Sequence, residues 1–392
     1  MSDLEDLIAE AGKCVNCGFC ESVCPTLPAT DFSSSTGARG RVDIAKFLYR
    51  TDEGIDALKP FYSCLDCFAC YSVCPAGVNA GIVSEIGRRV LVREGKRDSI
   101  AEMIVRITKK YMNPLGVMEK CSSWADNLKF DNVKTILYTG NMYQLMPYLK
   151  AFSEFRLKIG NHDRRLAEII GKHPDLIRLV SNMYDRNMKK KMDSYLTNIY
   201  NILKINGIKF DYLRGNEPYP GTFIYDLGYE EDFSKYAKRV ADIFKNRGIK
   251  KIITIDPHTY ELLKYKYPKY TDFKIEVVYY LDLVNAIKSG DQYALHEPCH
   301  FSRYLDFKDY TAKFFEAVHE DKPTRCCGGP AELLYPDISR RVSEKRYMEL
   351  KNTNKKIITA CPICFANLAR GPDVEDISEV IMSSYTMKNS RN

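Results

Sequence analysis

Several signals that would assign this chain to a common class of protein are missing from its sequence. No uninterrupted apolar run is long enough to span a bilayer. The amino-terminal stretch MSDLEDLIAE is acidic and lacks the charged-then-apolar pattern of a signal peptide. No GxGxxG motif follows a predicted strand, so we expect neither flavin nor nicotinamide on this chain. We therefore expect a cytoplasmic protein without either cofactor.

The positive charge of the chain is not accompanied by a nucleic-acid-binding motif. The formal net charge of +7 is spread widely, with one local run at residues 189–191. A solvated basic face is the better interpretation, and we expect no nucleic-acid partner. Such a face could also meet an acidic protein or anionic lipid, so a peripheral position on the inner membrane face is compatible with a cytoplasmic location.

Cysteine, by contrast, is abundant, with 14 residues in a chain of 392. Because the cytoplasm is reducing, disulfides are not the expected use of so many thiols. Residues 14–25 and 64–75 both have the spacing C-x2-C-x2-C-x3-C-P. This is the bacterial ferredoxin signature, in which three cysteines on a tight loop bind one cluster and the fourth binds the neighbouring cluster. Two cubane [4Fe-4S] clusters are therefore predicted.

The exchange of the fourth cysteine defines two ligand sets. The first set is Cys14, Cys17, Cys20 and Cys74. The second set is Cys64, Cys67, Cys70 and Cys24. The alternative is a pair of structural zinc sites, because four cysteines can also chelate zinc. The Cys-Pro pair that ends both runs favours iron–sulfur clusters.

Five more cysteines lie in the segments HEPCH, RCCGGP and ACPICF near the end of the chain. They are Cys299, Cys326, Cys327, Cys361 and Cys364. Thiolates are soft ligands, and this clustering indicates a metal centre rather than five buried hydrophobic residues. Cys361 lies where a predicted strand enters a helix, and a helix amino terminus favours the ligating thiolate. The fourteenth cysteine, Cys121, has no partner spacing and is predicted to be a small buried residue.

These motifs resemble those of the heterodisulfide reductase family and of the iron–sulfur subunits of glycerol-3-phosphate, glycolate and lactate dehydrogenases. The five-cysteine stretch resembles their cysteine-rich CCG domain, which holds a non-cubane [4Fe-4S] cluster in the heterodisulfide reductases. The resemblance therefore implies a third [4Fe-4S] cluster on these five cysteines. A cubane with four ligands is the alternative. The helical pattern at residues 41–50, between the paired runs, resembles the all-helical ferredoxin domain of such subunits.

An internal repeat occupies the chain from residue 133 onward. KKIITIDPHTY at residues 250–260 parallels KKIITACPICF at residues 355–365, and LYTGN at 137–141 parallels LHEPC at 295–299. The first copy has lost all five cysteines. The residues at those positions are Asn141, Tyr219, Pro220, Asp256 and Thr259. We call residues 133–288 the vacated unit and residues 289–392 the intact unit, and we expect the vacated unit to bind no metal and to act as scaffold.

Apolar runs alternate with amphipathic helices in both units. The runs are at residues 135–138, 252–255, 276–279, 293–296 and 357–360. This alternation predicts parallel sheets with helical crossovers. The expected fold is α+β and multidomain. An all-helical two-cluster ferredoxin domain (1–95) and a helical linker (96–132) precede two α/β, Rossmann-like CCG-type units.

Two further segments are predicted outside this pattern. Residues 152–206 form a helical insertion in the vacated unit. Residues 373–392 form a mildly amphipathic tail that could dock a partner or the membrane surface. Histidines also lie near the cysteine positions. These are His258, His296 and His300. A structural hydrogen bond to backbone is the expected role of each, because a histidine near a site is weak evidence of catalysis.

Three iron–sulfur centres without a nucleotide loop indicate an electron-transfer subunit. Electrons would come from a flavoprotein dehydrogenase partner, cross both cubanes and reach the CCG centre, with a quinone, a membrane protein or another carrier as acceptor. The alternative is a disulfide reductase that works with heterodisulfide reductase-type subunits, in which the five CCG cysteines form the catalytic site. Family members that cleave a disulfide have two facing cluster-bearing units, so the vacated unit favours electron transfer. A zinc-binding assembly protein is a third class.

The paired runs make a direct analytical prediction. Protein purified without oxygen should contain about eight iron atoms on the paired runs, four for each cubane, with matching acid-labile sulfide. Electron paramagnetic resonance (EPR) of the reduced protein should show a coupled pair of clusters. One zinc ion per run without labile sulfide would contradict the assignment.

Overall fold

The computed structural model describes residues 3–48, 56–160, 163–180, 182–305, 307, 310–318 and 326–389. Over these ranges the chain is a mixture of helices and small parallel sheets, as predicted. In the same ranges, no helix combines the length and the apolar character needed to cross a membrane.

The amino-terminal part is helical. Its helices are α1 (Asp3–Gly12), α2 (Phe19–Val23), α3 (Thr26–Ala29), α4 (Ala38–Phe47), α5 (Leu58–Tyr62), α6 (Ala69–Ser72) and α7 (Ala80–Arg93). Helices α1, α4 and α7 pack together around Leu7, Val42 and Val83. The short helices α2 and α6 follow the first two cysteines of each run and carry the third. This arrangement brings both cysteine runs to one side of the α1–α4–α7 core.

The residues before α2 and α6 have a left-handed backbone, but only one of them is a glycine. Gly18 precedes α2 with φ of 82°, and Phe68 precedes α6 with φ of 55°. A left-handed conformation costs a residue with a Cβ roughly 1–2 kcal/mol. The Phe68 ring stacks on Tyr304 of the intact unit, with ring centroids 3.9 Å apart. This contact offsets the backbone cost and fixes the loop that carries the second cysteine run.

The remaining helices surround two sheets. They are α8 (Ser99–Tyr111), α9 (Met142–Ile159), α10 (Asp163–Lys172), α11 (Ile177–Val180), α12 (Arg186–Ile205), α13 (Thr222–Asp226), α14 (Glu230–Asn246), α15 (Pro257–Glu261), α16 (Tyr267–Tyr270), α17 (Pro336–Lys351), α18 (Pro362–Leu368) and α19 (Ile377–Asn389). The described part of the chain also contains two π-helical turns. Leu262–Lys266 follows the vacated position at residue 259, and His300–Tyr304 follows the intact cysteine position at residue 299. Turns of this kind are frequent at functional sites.

All seven strands found among the described residues are parallel to their neighbours. The first sheet has the order β1 (Thr135–Tyr138), β2 (Lys251–Thr254), β3 (Glu276–Tyr279). The second has the order β5 (Glu316–Val318), β4 (Gln292–His296), β6 (Ile357–Thr359), β7 (Val374–Asp376). Asp211 forms an isolated parallel bridge with Ile136 on β1, where the second sheet has β5. The two sheets therefore have the same strand order, as the repeat predicts.

The apolar runs located five of these strands within one or two residues, but two short strands were missed. The pattern gave no signal for β5 or β7, which are three residues each. The prediction that residues 373–392 form a tail was wrong over residues 373–389. That segment contains β7 and α19, and residues 390–392 lie outside the described residues. The apolar side of α19 is buried against α12, and Asn198 donates a hydrogen bond to Glu379 at 3.0 Å.

The segment before the first sheet and the predicted insertion are helical where they are described. Residues 96–132 contain α8 and a 3-10 segment, Met118–Ala125. Cys121 is buried in that segment, where its thiol donates to the Val117 carbonyl at 3.4 Å. The prediction that Cys121 is a small buried residue is therefore confirmed.

The predicted insertion at 152–206 contains the end of α9, then α10, α11 and α12.

Arg88 on α7 joins the ferredoxin helices to the vacated unit. Its guanidinium is 3% exposed and donates to the Asp66 carboxylate at 2.5 Å. It also donates to the carbonyls of Phe61 and Asp226, at 2.8 Å each. Tyr62 adds a hydrogen bond to the Leu227 carbonyl at 3.0 Å. The relative position of the two parts thus depends on one buried, multiply bonded cation.

Replacement of Arg88 by alanine should destabilise the protein strongly. The change leaves Asp66 buried without its ion-pair partner, a loss that typically costs about 3–5 kcal/mol. The free energy of unfolding in urea measures it. The matched control is Arg93→Ala on the same helix, whose side chain is 47% exposed and pairs with Asp3 and Glu230. That change should cost less than about 1 kcal/mol, and equal losses in the two variants would contradict the prediction.

Candidate metal centres

Four of the cysteines in the paired runs line one cavity near the surface. They are Cys14, Cys17, Cys20 and Cys74, which we call the first ferredoxin site. Cys17 is exposed, whereas burial and the charges of Glu21 and Cys14 raise the pKa of Cys20 to about 12. A cationic centre among the four sulfurs would remove this penalty, because its charge offsets that of the thiolates. The arrangement therefore fits a metal cluster.

The other four cysteines of the paired runs lie deeper in the protein. They are Cys24, Cys64, Cys67 and Cys70, which we call the second ferredoxin site. Burial raises the pKa of Cys70, and the charges of the other three thiols raise it further. Because charges act in this way only at short range, the four sulfurs are neighbours. Burial also raises the pKa of Cys64 to about 12. The buried Arg41 directs Nη1 toward the Cys24 sulfur at 3.8 Å, where its charge favours the thiolate.

The five cysteines of the intact unit come from three separate segments. The cysteine-rich site comprises Cys299, Cys326, Cys327, Cys361 and Cys364. Cys299 follows β4, Cys361 caps α18, and Cys364 lies on the first turn of α18. Cys326 and Cys327 precede Gly328, whose φ is +86° and where a Cβ would lie 2.6 Å from the Ser339 carbonyl. The glycine thus permits the tight turn that brings both adjacent cysteines into the site.

Hydrogen bonds among the sulfurs dominate the electrostatics of the cysteine-rich site. Hydrogen bonds from Cys326 and Cys364 hold the pKa of Cys327 well below its usual value. Burial would raise the pKa of Cys361, but hydrogen bonds from Cys364 and His258 outweigh it and lower the pKa to about 7. The sequence predicted a lowered pKa at Cys361, although it attributed the shift to the helix amino terminus. The pKa values of Cys299, Cys326 and Cys364 are raised instead, so the site is a soft, buried donor set with two thiols that favour the thiolate, which fits an iron–sulfur cluster.

The second ferredoxin site is in contact with the cysteine-rich site. The two sites meet at Cys67 and Cys326, because hydrogen bonding with Cys326 lowers the pKa of Cys67 to about 6. Arg303 donates from Nε to the Cys67 carbonyl, and the Tyr304 hydroxyl donates to the Asp66 carbonyl at 2.7 Å. With the stack of Tyr304 on Phe68, these bonds hold the second cysteine run against the π-helical turn after Cys299. The structure therefore places two of the predicted sites side by side.

The vacated positions are occupied by hydrogen bonds within the protein. Asn141 donates from Nδ2 to the Glu217 carbonyl at 3.1 Å, and Asp256 accepts from the Thr259 amide at 2.9 Å. The carbonyl of Pro220 accepts from the Tyr267 hydroxyl at 2.6 Å. Within the described ranges, the vacated positions contain no group of three close ligand atoms. Asp256 Oδ2 and Thr259 Oγ1 are buried without a hydrogen-bond partner among the described residues.

The histidines differ from their predicted role of bonding to backbone. His296 accepts from Arg346 at Nδ1 and lies against Cys327, with Nδ1 or Nε2 within 4.8 Å of the Cys327 and Cys364 sulfurs. His258 comes from the vacated unit and hydrogen-bonds Cys361. Its ring centroid lies 3.8 Å from that of His300. The sequence contained one signal for this contact, because the repeat places His258 beside the vacated position that corresponds to Cys361.

Two family models match the chain, one for each group of cysteine motifs. The "4Fe-4S dicluster domain" matches residues 10–78, which contain both ferredoxin sites. The "Cysteine-rich domain" matches residues 293–369, which contain all five cysteines of the cysteine-rich site. No solved structure matches the chain significantly.

Curated relatives match across most of the chain. A probable iron–sulfur-binding oxidoreductase of Bacillus subtilis is 23% identical over 96% of this chain and 54% of its own length. A dihydromethanophenazine:CoB–CoM heterodisulfide reductase subunit of Methanosarcina barkeri is 22% identical over 98% of this chain and 96% of its own. The EtfAB:quinone oxidoreductase of Syntrophomonas wolfei is 22% identical over 81% of this chain and 44% of its own. The chain thus spans about half of two of these relatives and nearly all of the third.

The order of the cysteine motifs, the domain matches and the extent of these alignments agree with one another. The chain therefore carries a 4Fe-4S dicluster domain and a cysteine-rich domain, and over most of its length it is similar to the heterodisulfide reductase subunit of Methanosarcina barkeri.

Proposed function

We propose that the chain is the electron-transfer subunit of an oxidoreductase complex and binds three [4Fe-4S] clusters. The two ferredoxin sites would each hold a cubane, with the ligand sets given above. The cysteine-rich site would hold the third cluster through Cys299, Cys326, Cys327, Cys361 and Cys364, or through four of them if it is a cubane. Each cluster would supply a one-electron carrier.

The observation that carries this proposal is the contact between Cys67 and Cys326. Cys326 lowers the pKa of Cys67, and the bonds from Arg303 and Tyr304 to the carbonyls of Cys67 and Asp66 hold the two sites together. The two ferredoxin sites are also neighbours, since the charge of Cys24 contributes to the raised pKa of Cys20. The three sites therefore form one series, from the exposed Cys17 to the buried Cys361. Such a series suits electron transfer across the protein.

The surface around the first ferredoxin site supports docking of a redox partner there. Val15, Phe19 and Tyr71 are 69%, 61% and 51% exposed. Aromatic residues are enriched in protein interfaces, and these lie on or beside the loops of the paired runs. We propose that a flavoprotein dehydrogenase, or another protein of the heterodisulfide reductase type, docks on this surface. A quinone or a membrane protein would then be the acceptor, with this cytoplasmic chain peripheral on the inner membrane face.

The same strand order supports a shared origin for the two sheet units. We propose domain boundaries near residues 95, 132 and 288, so that two Rossmann-like units follow a ferredoxin domain and a helical linker. Strands β1, β2 and β3 correspond to β4, β6 and β7. The vacated unit would then be a retained wall of the cysteine-rich site.

The alternative function is cleavage of a disulfide at the cysteine-rich site. A cavity does lie beside this site, with His258, Gly329 and Ile363 in its lining. The space that it leaves for the centres of water-sized molecules is about 40 Å³. A single water needs at least about 10–15 Å³ by this measure, so the cavity suits a few waters rather than a disulfide substrate. A second cavity, with Cys24 and Cys326 in its lining, is larger, so the absence of thiols from the vacated unit, rather than the size of a cavity, favours electron transfer.

Substitution of Cys327 by serine should separate the two functions. Cys327 hydrogen-bonds both Cys326 and Cys364, so its loss should disturb the third cluster and slow electron delivery to the acceptor by about tenfold or more. The matched control is Cys121→Ser, which removes a buried thiol outside the three sites and should leave the rate unchanged. Stopped-flow measurement under anaerobic conditions gives both rates.

The same proteins test the catalytic alternative. We expect small disulfides to leave the EPR signal of the oxidised third cluster unchanged, because electron transfer needs no bond between substrate and iron. A disulfide-dependent change of that signal, with disulfide turnover that Cys327→Ser abolishes, would show that the chain is a disulfide reductase.

A further inference from the structure

The vacated unit and the intact unit face each other at equivalent turns. Asp256-Pro257 begins α15 in the vacated unit, and Cys361-Pro362 begins α18 in the intact unit. The Tyr279 hydroxyl lies 3.3 Å from the Ile255 carbonyl and 3.5 Å from the Ala360 carbonyl. These carbonyls belong to the residues immediately before the two turns. One side chain therefore bonds the same point of both units, and the two helix starts are close in space.

His258 is the residue that crosses from one turn to the other. It is 6% exposed and follows Pro257 in the first turn of α15. Cys361 is fully buried at the start of α18, and interaction with the His258 side chain helps to lower the pKa of its thiol to about 7, so the two side chains lie close together. The side chain of Asp256 fixes the start of α15 by accepting from the Thr259 amide. The vacated unit thus provides a rigid support for a donor aimed at a cysteine of the other unit.

A row of neighbouring aromatic rings contacts the other side of His258. The His258 ring lies 3.8 Å from His300, the His300 ring lies 4.2 Å from Tyr304, and Tyr304 stacks on Phe68. The row ends beside Cys67 of the second ferredoxin site. His258 is therefore held by contacts on both faces of the site, and its position depends on the assembly of all three parts of the chain.

We propose that His258 is a positioning residue that donates a hydrogen bond to the Cys361 sulfur and thereby raises the reduction potential of the centre at the cysteine-rich site. The proposal rests on the proposed function, since it requires an iron–sulfur centre at Cys361. Hydrogen bonds to the sulfurs are among the determinants of cluster potentials. Reduction adds negative charge, so a donor in a buried site stabilises the reduced state more than the oxidised state. The vacated unit would then have lost its own centre while tuning that of its neighbour.

Potentiometric titration of wild type, His258→Leu and His258→Gln tests this inference. The leucine variant lacks a donor, whereas the glutamine amide keeps one. For His258→Leu we expect a tenfold loss in the equilibrium for reduction of the third centre, which corresponds to a midpoint about 59 mV lower for one electron. His258→Gln should restore much of the difference. The two ferredoxin centres serve as internal references, and His173→Leu, at an exposed histidine, is the control.

The outcomes separate this inference from the proposed function. An unchanged third midpoint in His258→Leu with full iron content would overturn the role of His258, as would an equal shift of all three midpoints. If His258→Leu loses the third centre, His258→Gln decides. Retention of that centre with a near-native midpoint supports the hydrogen bond, whereas loss in both variants assigns His258 to folding and overturns the proposal. Absence of a third centre from the wild type would instead refute the proposed function.

Discussion

The contact between the second cysteine run and the π-helical turn after Cys299 is the constraint on which the arrangement of sites depends. Phe68 adopts a left-handed backbone that a glycine holds at the equivalent position in the first run, and its ring stacks on Tyr304. Arg303 and Tyr304 bond the backbone carbonyls of the same loop. These interactions bring Cys67 to Cys326. Together with the hydrogen bonds from Arg341 to Ala29 and Asp31, they join the ferredoxin helices to the intact unit.

The two units with the same strand order differ in their site residues, because the vacated unit has no thiols at the positions of the five cysteines. It repeats the strand order of the intact unit, but asparagine, tyrosine, proline, aspartate and threonine replace the thiols, and hydrogen bonds within the protein satisfy most of these residues. It still packs against Arg88 on one side and Cys361 on the other. The unit without thiols thus supplies part of the surroundings of the cysteine-rich site, which explains why its contacts matter although it has no cysteine ligands.

Short-range features were predictable from the sequence, and contacts between units were not. The ferredoxin spacing predicts which cysteines gather, because the ligand loop is local apart from one exchanged residue. The strands at 135–138 and 276–279 follow from apolar runs. Strands β5 and β7 are too short to give such a run, and α19 is buried by α12, which is distant in sequence. The bond from His258 to Cys361 depends on how the two units pack, so the repeat places the histidine near the site without revealing its partner.

The magnetic interaction between the centres tests most directly that the three sites form one series. Stepwise anaerobic reduction followed by EPR reports whether neighbouring paramagnets couple. Since Cys67 and Cys326 lie close enough for one thiol to shift the pKa of the other, the account predicts that the signal of one ferredoxin centre splits or broadens when the third centre is paramagnetic. Three iron–sulfur signals that remain independent at every potential would contradict it.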